Sequence, residues 1–383
     1  MARAGILGSM QGLNVSQEPS GAGLNGDQAA LAVDRAIGEL RRGRSIAVVA
    51  PENTLVLAAI ETISNRLLQR MVEASSATRL VLTAERVRAG GLAAKVAGPM
   101  AAKIAEPADL DVLKALAGIS TGIAAPELEP WTGSEAPVLA AFGLAKAARL
   151  LPALIVFETS RIDDPSLHCV SLAAILEYAA GTRNGMQLIS ESRVPLKGSE
   201  TSRVALFRDA YGGSEHVAVI IGEPDLSASV PVRLHSACLT GDLLGSLRCD
   251  CGEQLATAIE RIAELGGGVL LYLDQEGRSI GLANKLRAYS IQDTGVDTFD
   301  ADGHLGFKSD ERSYDVAAAM LQQIGVSRVR LLTNNPRKID ALREHGIDVE
   351  DRIAIVAAPN KYNAGYLQAK RERAGHLSDD GAS

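Results

Sequence analysis

Three cysteines lie close together in the C-terminal half of this chain of 383 residues. Cys238, Cys249 and Cys251 fall within one short stretch, whereas the fourth cysteine, Cys169, stands far from it. In a reducing compartment such a cluster is more typical of metal binding or catalysis than of a disulfide framework. Thiolates are soft ligands that suit zinc, so this spacing favours a zinc site on a loop.

The number of protein ligands decides what such a zinc ion does. A structural zinc normally has four protein ligands, whereas a catalytic zinc keeps three and leaves one position for water. The local count is three, but His235 or the distant Cys169 would close the site as a fourth ligand. Three buried inert thiols remain the other alternative. Cys249 and Cys251 also need a turn to converge, and we expect Gly252 to permit it through unusual dihedral angles.

Polar and glycine-containing motifs accompany the cysteines in a definite order along the chain. They occupy residues 235–242, 246–252, 275–282, 284–289, 305–307, 310–312, 330–336 and 375–376. In sequence and in order, from about residue 193 to residue 376, they resemble GTP cyclohydrolase II. This is the enzyme that opens the guanine ring of GTP at the start of riboflavin biosynthesis.

The resemblance implies a specific hydrolysis. C8 of guanine leaves as formate, pyrophosphate is released, and 2,5-diamino-6-ribosylamino-4(3H)-pyrimidinone 5′-phosphate remains. It also implies that Cys238, Cys249 and Cys251 hold one Zn²⁺ per chain, which would activate water for attack on the weakly electrophilic C8. Tyr289 matches a family position near the attacked carbon, where it would orient water or carry a proton.

Asp310 and Arg312 match two further catalytic positions of the family. Family descriptions make the aspartate a proton acceptor and the arginine a nucleophile at the α-phosphorus. An arginine stays protonated in proteins, so clamping the transferred phosphoryl group is the less demanding role. We assign both residues to the site and leave their roles open. We also expect Ser309 to cap a helix that carries Arg312 in its first turn, near an anion-favouring helix end.

Other family positions surround the nucleotide. The matching residues are Arg233, Leu234, His235, Ser236, Ala237, Gln254, Glu276, Gly277, Arg278, Thr298, Thr333 and Lys338. Their cations suit the triphosphate, and Glu276 is the candidate acceptor for the N1–H and amine of guanine. Mg²⁺ is expected to travel with the phosphates and to need few protein ligands.

Three positions depart from the family pattern. Ala237 stands where glutamate is usual, Asp274 where a basic or neutral residue is common, and Asp302 where asparagine is usual. These changes would weaken triphosphate binding or shift the product. One alternative is therefore a paralogue that works outside flavin synthesis. Another is a non-catalytic nucleotide-sensing protein, against which the intact zinc, tyrosine and Asp-x-Arg positions weigh.

The front half faintly resembles a different enzyme. Residues 34–49 are similar to the opening of 3,4-dihydroxy-2-butanone 4-phosphate synthase, a domain that often precedes GTP cyclohydrolase II. That synthase needs an acidic magnesium-binding loop and a catalytic histidine. Here residues 50–55 contain the single carboxylate Glu52, and no histidine precedes His168. We therefore expect a degenerate domain that serves packing, dimerisation or regulation.

Composition narrows the class of protein. A formal net charge of −7 argues against a general nucleic-acid binder, which would need a basic field. No apolar run is long enough for a membrane span, and the first residues lack the features of a signal peptide. The expected protein is cytoplasmic, takes GTP as its partner, forms a homodimer and binds neither nucleic acid nor membrane.

The hydrophobic pattern predicts the elements that must position these residues. It indicates an α/β (α+β) protein of two domains, with a mixed sheet in the GTP cyclohydrolase II-like domain. The predicted bounds are 1–28 for a disordered lead-in, 29–190 for the front domain, 191–376 for the catalytic domain and 377–383 for a disordered tail. Predicted helices include 27–42, 136–151, 253–265 and 282–292, and predicted strands include 45–49, 154–157, 216–221, 230–234, 268–273 and 328–333.

Overall fold

The fold is described from a computed structural model covering residues 28–92, 96–119, 127–209 and 213–355, without the side chains of 181–184, 298 and 299. Most of the predicted lead-in, the predicted tail and the motif at residues 375–376 lie outside the described residues. Within the described ranges the chain forms two sheets of seven strands each, with helices against them. The expected α/β class and the mixed sheet of the back half are confirmed, and the sheet of the front half is mixed as well.

The first sheet belongs to the front half. Its strands are β1 (Ile46–Val49), β2 (Thr54–Ala59), β3 (Arg79–Leu82), β4 (Met100–Lys103), β5 (Leu128–Pro130), β6 (Ala153–Thr159) and β7 (His168–Ser171). They lie in the order β5-β4-β3-β6-β2-β1-β7, in which only β1 and β7 are parallel. The helices are α1 (Gln28–Arg41), α2 (Asn65–Ala74), α3 (Ala84–Ala89), α4 (Leu110–Leu116), α5 (Glu135–Ala147) and α6 (Leu172–Asn184).

Aliphatic residues fill both faces of this sheet. Leu57 and Val156 pack in a core with α1, α5 and α6, whereas Ala58 and Ile155 pack in a second core with α2 and α4. Strands covered on both faces are continuously apolar, which explains why the sequence of β2 and β6 shows no alternation. Gly43 ends α1 with φ +73°, and a Cβ there would lie 2.3 Å from the Thr62 carbonyl oxygen.

The second sheet belongs to the back half. Its strands are β8 (Gln187–Arg193), β9 (Arg203–Arg208), β10 (Glu215–Ile221), β11 (Val230–Ser236), β12 (Gly268–Leu273), β13 (Arg328–Leu332) and β14 (Asp348–Ile353). The order is β14-β13-β11-β12-β10-β9-β8. Strands β14, β13, β11 and β12 are parallel, and β10, β9 and β8 continue the sheet in antiparallel fashion. The helices are α7 (Cys251–Glu264), α8 (Leu282–Gln292), α9 (Thr298–His304), α10 (Asp315–Gln323) and α11 (Pro336–Glu344).

The parallel strands determine where polar residues gather. Because β11, β12 and β13 run in the same direction, their carboxyl ends at Ser236, Leu273 and Leu332 meet at one edge of the sheet. Ligands of open α/β sheets bind outside such an edge. Three predicted motifs lie at this edge: residues 235–242 at the end of β11, residues 275–282 after β12 and residues 330–336 at the end of β13.

The two halves pack directly against each other. Leu151 of the front half joins a buried apolar cluster with Ile280, Leu305 and Phe307 of the back half. The hydroxyl of Thr83 donates to the carbonyl of Gly306 at 2.8 Å. Among the described residues no helix is both long enough and apolar enough to cross a membrane.

Candidate active site

The three cysteines of the back half converge as a cluster. Their Sγ atoms all lie within 4.8 Å of one another, and those of Cys238 and Cys249 are 3.7 Å apart. Cys238 follows β11, Cys249 lies in the loop after a π-helical turn (Leu239–Leu243), and Cys251 is the first residue of α7. A thiolate at a helix N-terminus is stabilised by the helix dipole. The arrangement provides three soft ligands on one side of a small space, which suits a zinc ion.

Two glycines make this convergence sterically possible. A Cβ atom at Gly241 would lie 2.8 Å from Cys249 Sγ and 3.0 Å from Cys238 Sγ. A Cβ atom at Gly252 would lie 2.3 Å from the carbonyl oxygen of Gly241. Gly252 lies inside α7 in helical conformation, so our expectation of unusual dihedral angles was wrong. It is needed for close approach instead, because the start of α7 packs against the turn that holds Gly241.

Electrostatics in the cluster favour one ionised thiol. Hydrogen bonds from Cys249 and Cys251, with a further one from Lys285, lower the pKa of Cys238. Hydrogen bonds to Cys238 and Cys249 raise the pKa of Cys251. Thiolates this close repel one another, so a bound cation would stabilise the fully ionised set. The Lys285 ammonium lies 3.0 Å from Cys238 Sγ.

Neither proposed fourth ligand joins the cluster. The Nε2 atom of His235 lies 3.1 Å from Asp242 Oδ1, and the ring stacks on Tyr272 at 5.6 Å between centroids. Asp242 also accepts from the Tyr272 hydroxyl at 2.9 Å and from the Cys238 amide at 3.0 Å. Cys169 is exposed on β7 in the other sheet. Among the described residues the donor set is therefore the three-thiol set of an open site.

A cavity of about 440 Å³ opens beside the thiols. Predicted site residues on its wall are Ser236, Ala237, Cys238, Cys249, Cys251, Glu276, Gly277, Arg278, Tyr289 and Arg312. It is large enough for a nucleotide base and sugar, and its wall combines apolar and charged side chains. The structure therefore brings the metal candidates and two of the three predicted catalytic residues to one space.

Tyr289 lies on α8, facing the thiol side of the cavity. The ammonium of Lys285, one helical turn earlier, lies 5.8 Å from the Tyr289 ring centroid, and the guanidinium of Arg248 lies 5.0 Å from it. Burial raises the pKa of Tyr289, although the charge of Lys285 opposes this effect. At neutral pH the phenol is protonated and can donate a hydrogen bond.

Asp310 and Arg312 form a two-point ion pair. Arg312 Nε donates to Asp310 Oδ1 and Nη2 donates to Oδ2, each at 2.8 Å. Burial works to raise the pKa of Asp310, but the hydrogen bonds and charge of Arg312 outweigh it, and the pKa lies below its usual value. Our prediction of a helix capped by Ser309 was wrong, because α10 begins only at Asp315. Arg312 is held by the carboxylate rather than by a helix.

A cationic group formed by Arg233, Arg312 and Lys338 surrounds Tyr314. Arg233 on β11 is buried, and its Nη atoms donate to the Leu332 carbonyl at 2.9 Å and to Gln254 Oε1 at 2.6 Å. Burial lowers the pKa of Arg233 to about 10. The ammonium of Lys338 lies 5.5 Å from the ring of Tyr314, as the Arg312 guanidinium does at 5.6 Å. Within the described residues Arg233 Nε and the Tyr314 hydroxyl are buried without a hydrogen-bond partner.

The turn after β12 is held in an uncommon conformation. Gly277, Arg278 and Ser279 have φ values of 61°, 59° and 74°, a region that favours glycine. Non-glycine residues in this region are typical of functional sites. Arg278 Nη1 donates to Asp302 Oδ2 at 3.3 Å and to the Ser309 carbonyl at 3.1 Å. The turn thereby links the end of β12 to the loop that carries the ion pair.

Glu276 is more constrained than the sequence suggested. Its Oε1 accepts from Lys285 Nζ at 2.8 Å and from the Gly277 amide at 3.0 Å. Its Oε2 accepts from the Leu239 amide at 2.6 Å. A carboxylate offers about four lone-pair directions. Three are engaged, so its role as the acceptor for guanine stays a prediction that relies on the remaining direction of Oε2.

The other predicted contacts lie deeper or at the edge of the description. Thr333 is buried after β13, where its hydroxyl accepts from the Asn335 amide at 3.0 Å. The Leu234 carbonyl accepts from Lys338 Nζ at 2.6 Å, and the Leu234 side chain is in the core. Thr298 is the first residue of α9, and its side chain is not among those described.

Sequence reasoning missed Lys285. It is buried, and its ammonium contacts a thiol of the cluster, Glu276 and the Thr240 hydroxyl at 2.9 Å. The spacing of four residues between Lys285 and Tyr289, which places both on one helix face, was the available indication. Sequence reasoning also missed Asp242, which orients His235 and the Cys238 amide. A single acidic residue in a sequence resembles an ordinary surface residue.

Comparison with known proteins agrees with this site. A family model described as GTP cyclohydrolase II matches residues 187–354. The chain is 42% identical over 370 residues to a GTP cyclohydrolase-2 of Azospirillum brasilense, covering 92% of this chain and 95% of that protein. It is 39% identical over 360 residues to one from Xylella fastidiosa strain Temecula1, covering 92% and 89%.

Shorter relatives and one solved structure complete the comparison. A GTP cyclohydrolase-2 of Shewanella amazonensis is 53% identical over 176 residues, 45% of this chain and 85% of that protein. A solved two-domain 3,4-dihydroxy-2-butanone 4-phosphate synthase from A. baumannii is 16% identical, covering 85% of this chain and 99% of that chain, with a TM-score of 0.32, which establishes no common fold. The full-length similarity to two relatives is decisive: this chain belongs to the GTP cyclohydrolase II family of enzymes.

Proposed function

We propose that this chain hydrolyses GTP with the help of a bound zinc ion, in riboflavin biosynthesis. The products are formate, pyrophosphate and 2,5-diamino-6-ribosylamino-4(3H)-pyrimidinone 5′-phosphate. The observation that carries the proposal is one cavity with three converging thiols on its wall and the Arg312 guanidinium also lining it. A ring-opening centre and a phosphate-binding centre are both required for this reaction, and the cavity offers residues suited to each.

The base end of the substrate is assigned to the thiol side. When bound by Cys238, Cys249 and Cys251, zinc supplies Lewis-acid activation of water at near-neutral pH. The protonated phenol of Tyr289 orients the attacking water or gives a proton to the opening ring. Lys285 keeps Cys238 and Glu276 in place through its two hydrogen bonds.

The phosphate end is assigned to the cationic group around Tyr314. The Arg312 guanidinium lines the cavity and is suited to phosphate oxygens, and buried Arg233 adds positive charge near it. Arg312 and Lys338 add positive charge, and Mg²⁺ travels with the phosphates. Because the pKa of Asp310 is lowered, its carboxylate is a weak proton acceptor, which favours an electrostatic clamp by Arg312 over nucleophilic attack.

The front half is proposed to be a domain, residues 29–190, without butanone phosphate synthase activity, placed before a catalytic domain of residues 191–376. The family resemblance supports a cytoplasmic homodimer as well. One specific observation favours a second candidate, a paralogue with another product. Buried Asp302 pairs with Arg278 and would offset its charge toward the triphosphate.

Product analysis tests the proposal. Purified protein is incubated with GTP, Zn²⁺ and Mg²⁺, and formate, pyrophosphate and the pyrimidine are quantified, with ATP in a matched reaction. We expect equal amounts of the three products from GTP and none of them from ATP. A product that retains C8 would support the paralogue. No turnover by zinc-loaded protein would support a nucleotide-sensing role and overturn the proposal.

A further inference from the structure

A lysine of the front half reaches the loop that carries the catalytic ion pair. Lys146 lies in the last turn of α5, and its Nζ atom is 2.6 Å from Glu311 Oε1. The two side chains are only 26% and 15% exposed. Glu311 lies between Asp310 and Arg312 in the sequence, so this contact joins the front half to the centre of the Asp-x-Arg motif.

Glu311 connects three parts of the site. Its Oε1 also accepts from the Lys308 amide at 2.8 Å. Its own amide donates to the Arg278 carbonyl at 3.3 Å. The same lysine, Lys146, lies 5.9 Å from the Phe307 ring centroid. Residues 307–314 form neither helix nor strand, so side-chain anchors of this kind must fix the path of the loop.

A second contact from the front half holds the neighbouring turn. Arg149, itself at φ 60°, pairs with Asp274 at 2.5 Å, and its carbonyl accepts from Asn284 Nδ2 at 3.3 Å. A Cβ at Gly281 would lie 3.4 Å from the Arg149 side chain. Both loops at the active edge of the second sheet therefore rest on the segment that ends α5. Asp274, a departure from the family pattern, has its partner there.

We propose that Lys146 is a positioning residue for the hydrolysis of GTP, acting through Glu311 on Asp310 and Arg312. The inference rests on the proposed function. The pair is half-buried, so it is screened less than a surface ion pair. Lys146 is not one of the residues that line the cavity. Its effect must therefore pass through the loop rather than through contact with the substrate.

Substitution of Lys146 provides the kinetic test. Lys146→Met should lower kcat about tenfold, because a small displacement of a reacting group costs much of its effect. KM for GTP and zinc content should change little, and Lys146→Arg should keep most of the activity. The control is Lys103→Met, which breaks an exposed ion pair with Glu129 in the same half. Equal activities for Lys146→Met and the control would overturn the inference.

A charge exchange and a backbone measurement separate this inference from the proposed function. Lys146→Glu and Glu311→Lys should each impair turnover, and the double variant should recover part of it; no recovery would count against a direct pair. Amide hydrogen exchange of residues 306–313 should speed up in Lys146→Met. If the wild type releases no formate, the proposed function fails, and unchanged exchange in this segment would overturn the positioning role independently.

Discussion

The two halves of the chain build similar frameworks and use them differently. Each has a sheet of seven strands with helices against it, yet the metal candidates among the described residues gather only in the back half. In the back half, three parallel strands end at one edge, and the loops that follow them are polar. In the front half, the short connection of residues 50–53 joins β1 to its antiparallel neighbour β2, and Glu52 is the single carboxylate in that connection. A shared sheet size does not make a site; parallel strand ends with polar loops do.

The histidines show the same contrast. His168, the first histidine of the chain, sits on β7 with its Nε2 atom 2.7 Å from the Ala32 carbonyl of α1. That contact packs one element against another. His235 instead pairs with Asp242, which also holds the Cys238 amide, and so belongs to the surroundings of the thiol cluster. The residue type is the same, but only the second position is next to other reactive groups.

The largest expected effect tests whether the metal belongs to the back half alone. Serine at Cys238, Cys249 or Cys251 should remove zinc and reduce formate release to the background without enzyme, because zinc needs all three thiolates. Metal analysis should find one zinc per wild-type chain. Cys169→Ser in the front half is the matched control and should change neither quantity. Loss of zinc in that control would indicate a closed structural site that spans both halves.

A smaller effect divides the back half itself into a base end and a phosphate end. Tyr289→Phe should slow formate release about a hundredfold and affect pyrophosphate release less. Arg312→Ala should show the reverse, since the guanidinium stabilises charge on the phosphoryl group, again by about a hundredfold. Both products are measured in one time course. Parallel loss of the two products in both variants would mean that the division is wrong.

A stability measurement tests the raised pKa of Asp302, a buried carboxyl group on α9, which packs against α3 of the front half. Burial raises the pKa of Asp302 to about 7, above that of an unfolded aspartate, so the folded state binds the extra proton. The contribution of Asp302 to stability should then fall as pH rises from about 4 to 7, by at most about 1.4 kcal/mol per pH unit, whereas the lowered pKa of Asp310 contributes in the opposite direction. Denaturation midpoints of the wild type should show this slope relative to those of Asp302→Asn. The exposed Asp340→Asn serves as control and should keep it; a slope unchanged in both would contradict the buried charge.

The smallest expected effect is none at all. The full chain, given ribulose 5-phosphate and Mg²⁺, should form no dihydroxybutanone phosphate above the control without enzyme. The described front half offers no acidic group of three residues around a metal position, and His168 is engaged with the backbone of α1. Product formation would show that the weak resemblance had been misaligned and that the front half has a site of its own.

Much of the framework was predictable because it depends on local pattern. The strand at residues 268–273 and the helix at 282–292 have the bounds predicted from apolar periodicity. The loop around Ser309 was not predictable in this way. A serine followed by acidic residues favours a helix start. Here, however, the Glu311 carboxylate pairs with Lys146 and the Asp310 carboxylate pairs with Arg312. Tertiary pairing outweighed the local preference.

The amino-acid sequence specifies which chemical groups are available: three thiols, the tyrosine, the Asp-x-Arg motif and the glycines between them. The identity and spacing of these residues are fixed by the covalent chain, and they were sufficient to predict the family. Which of these groups come into contact depends on the tertiary structure. Lys285 contacts Cys238, and Lys146 contacts Glu311, across 47 and 165 positions of the chain. Such distances depend on how two sheets and their helices pack, which no local pattern specifies.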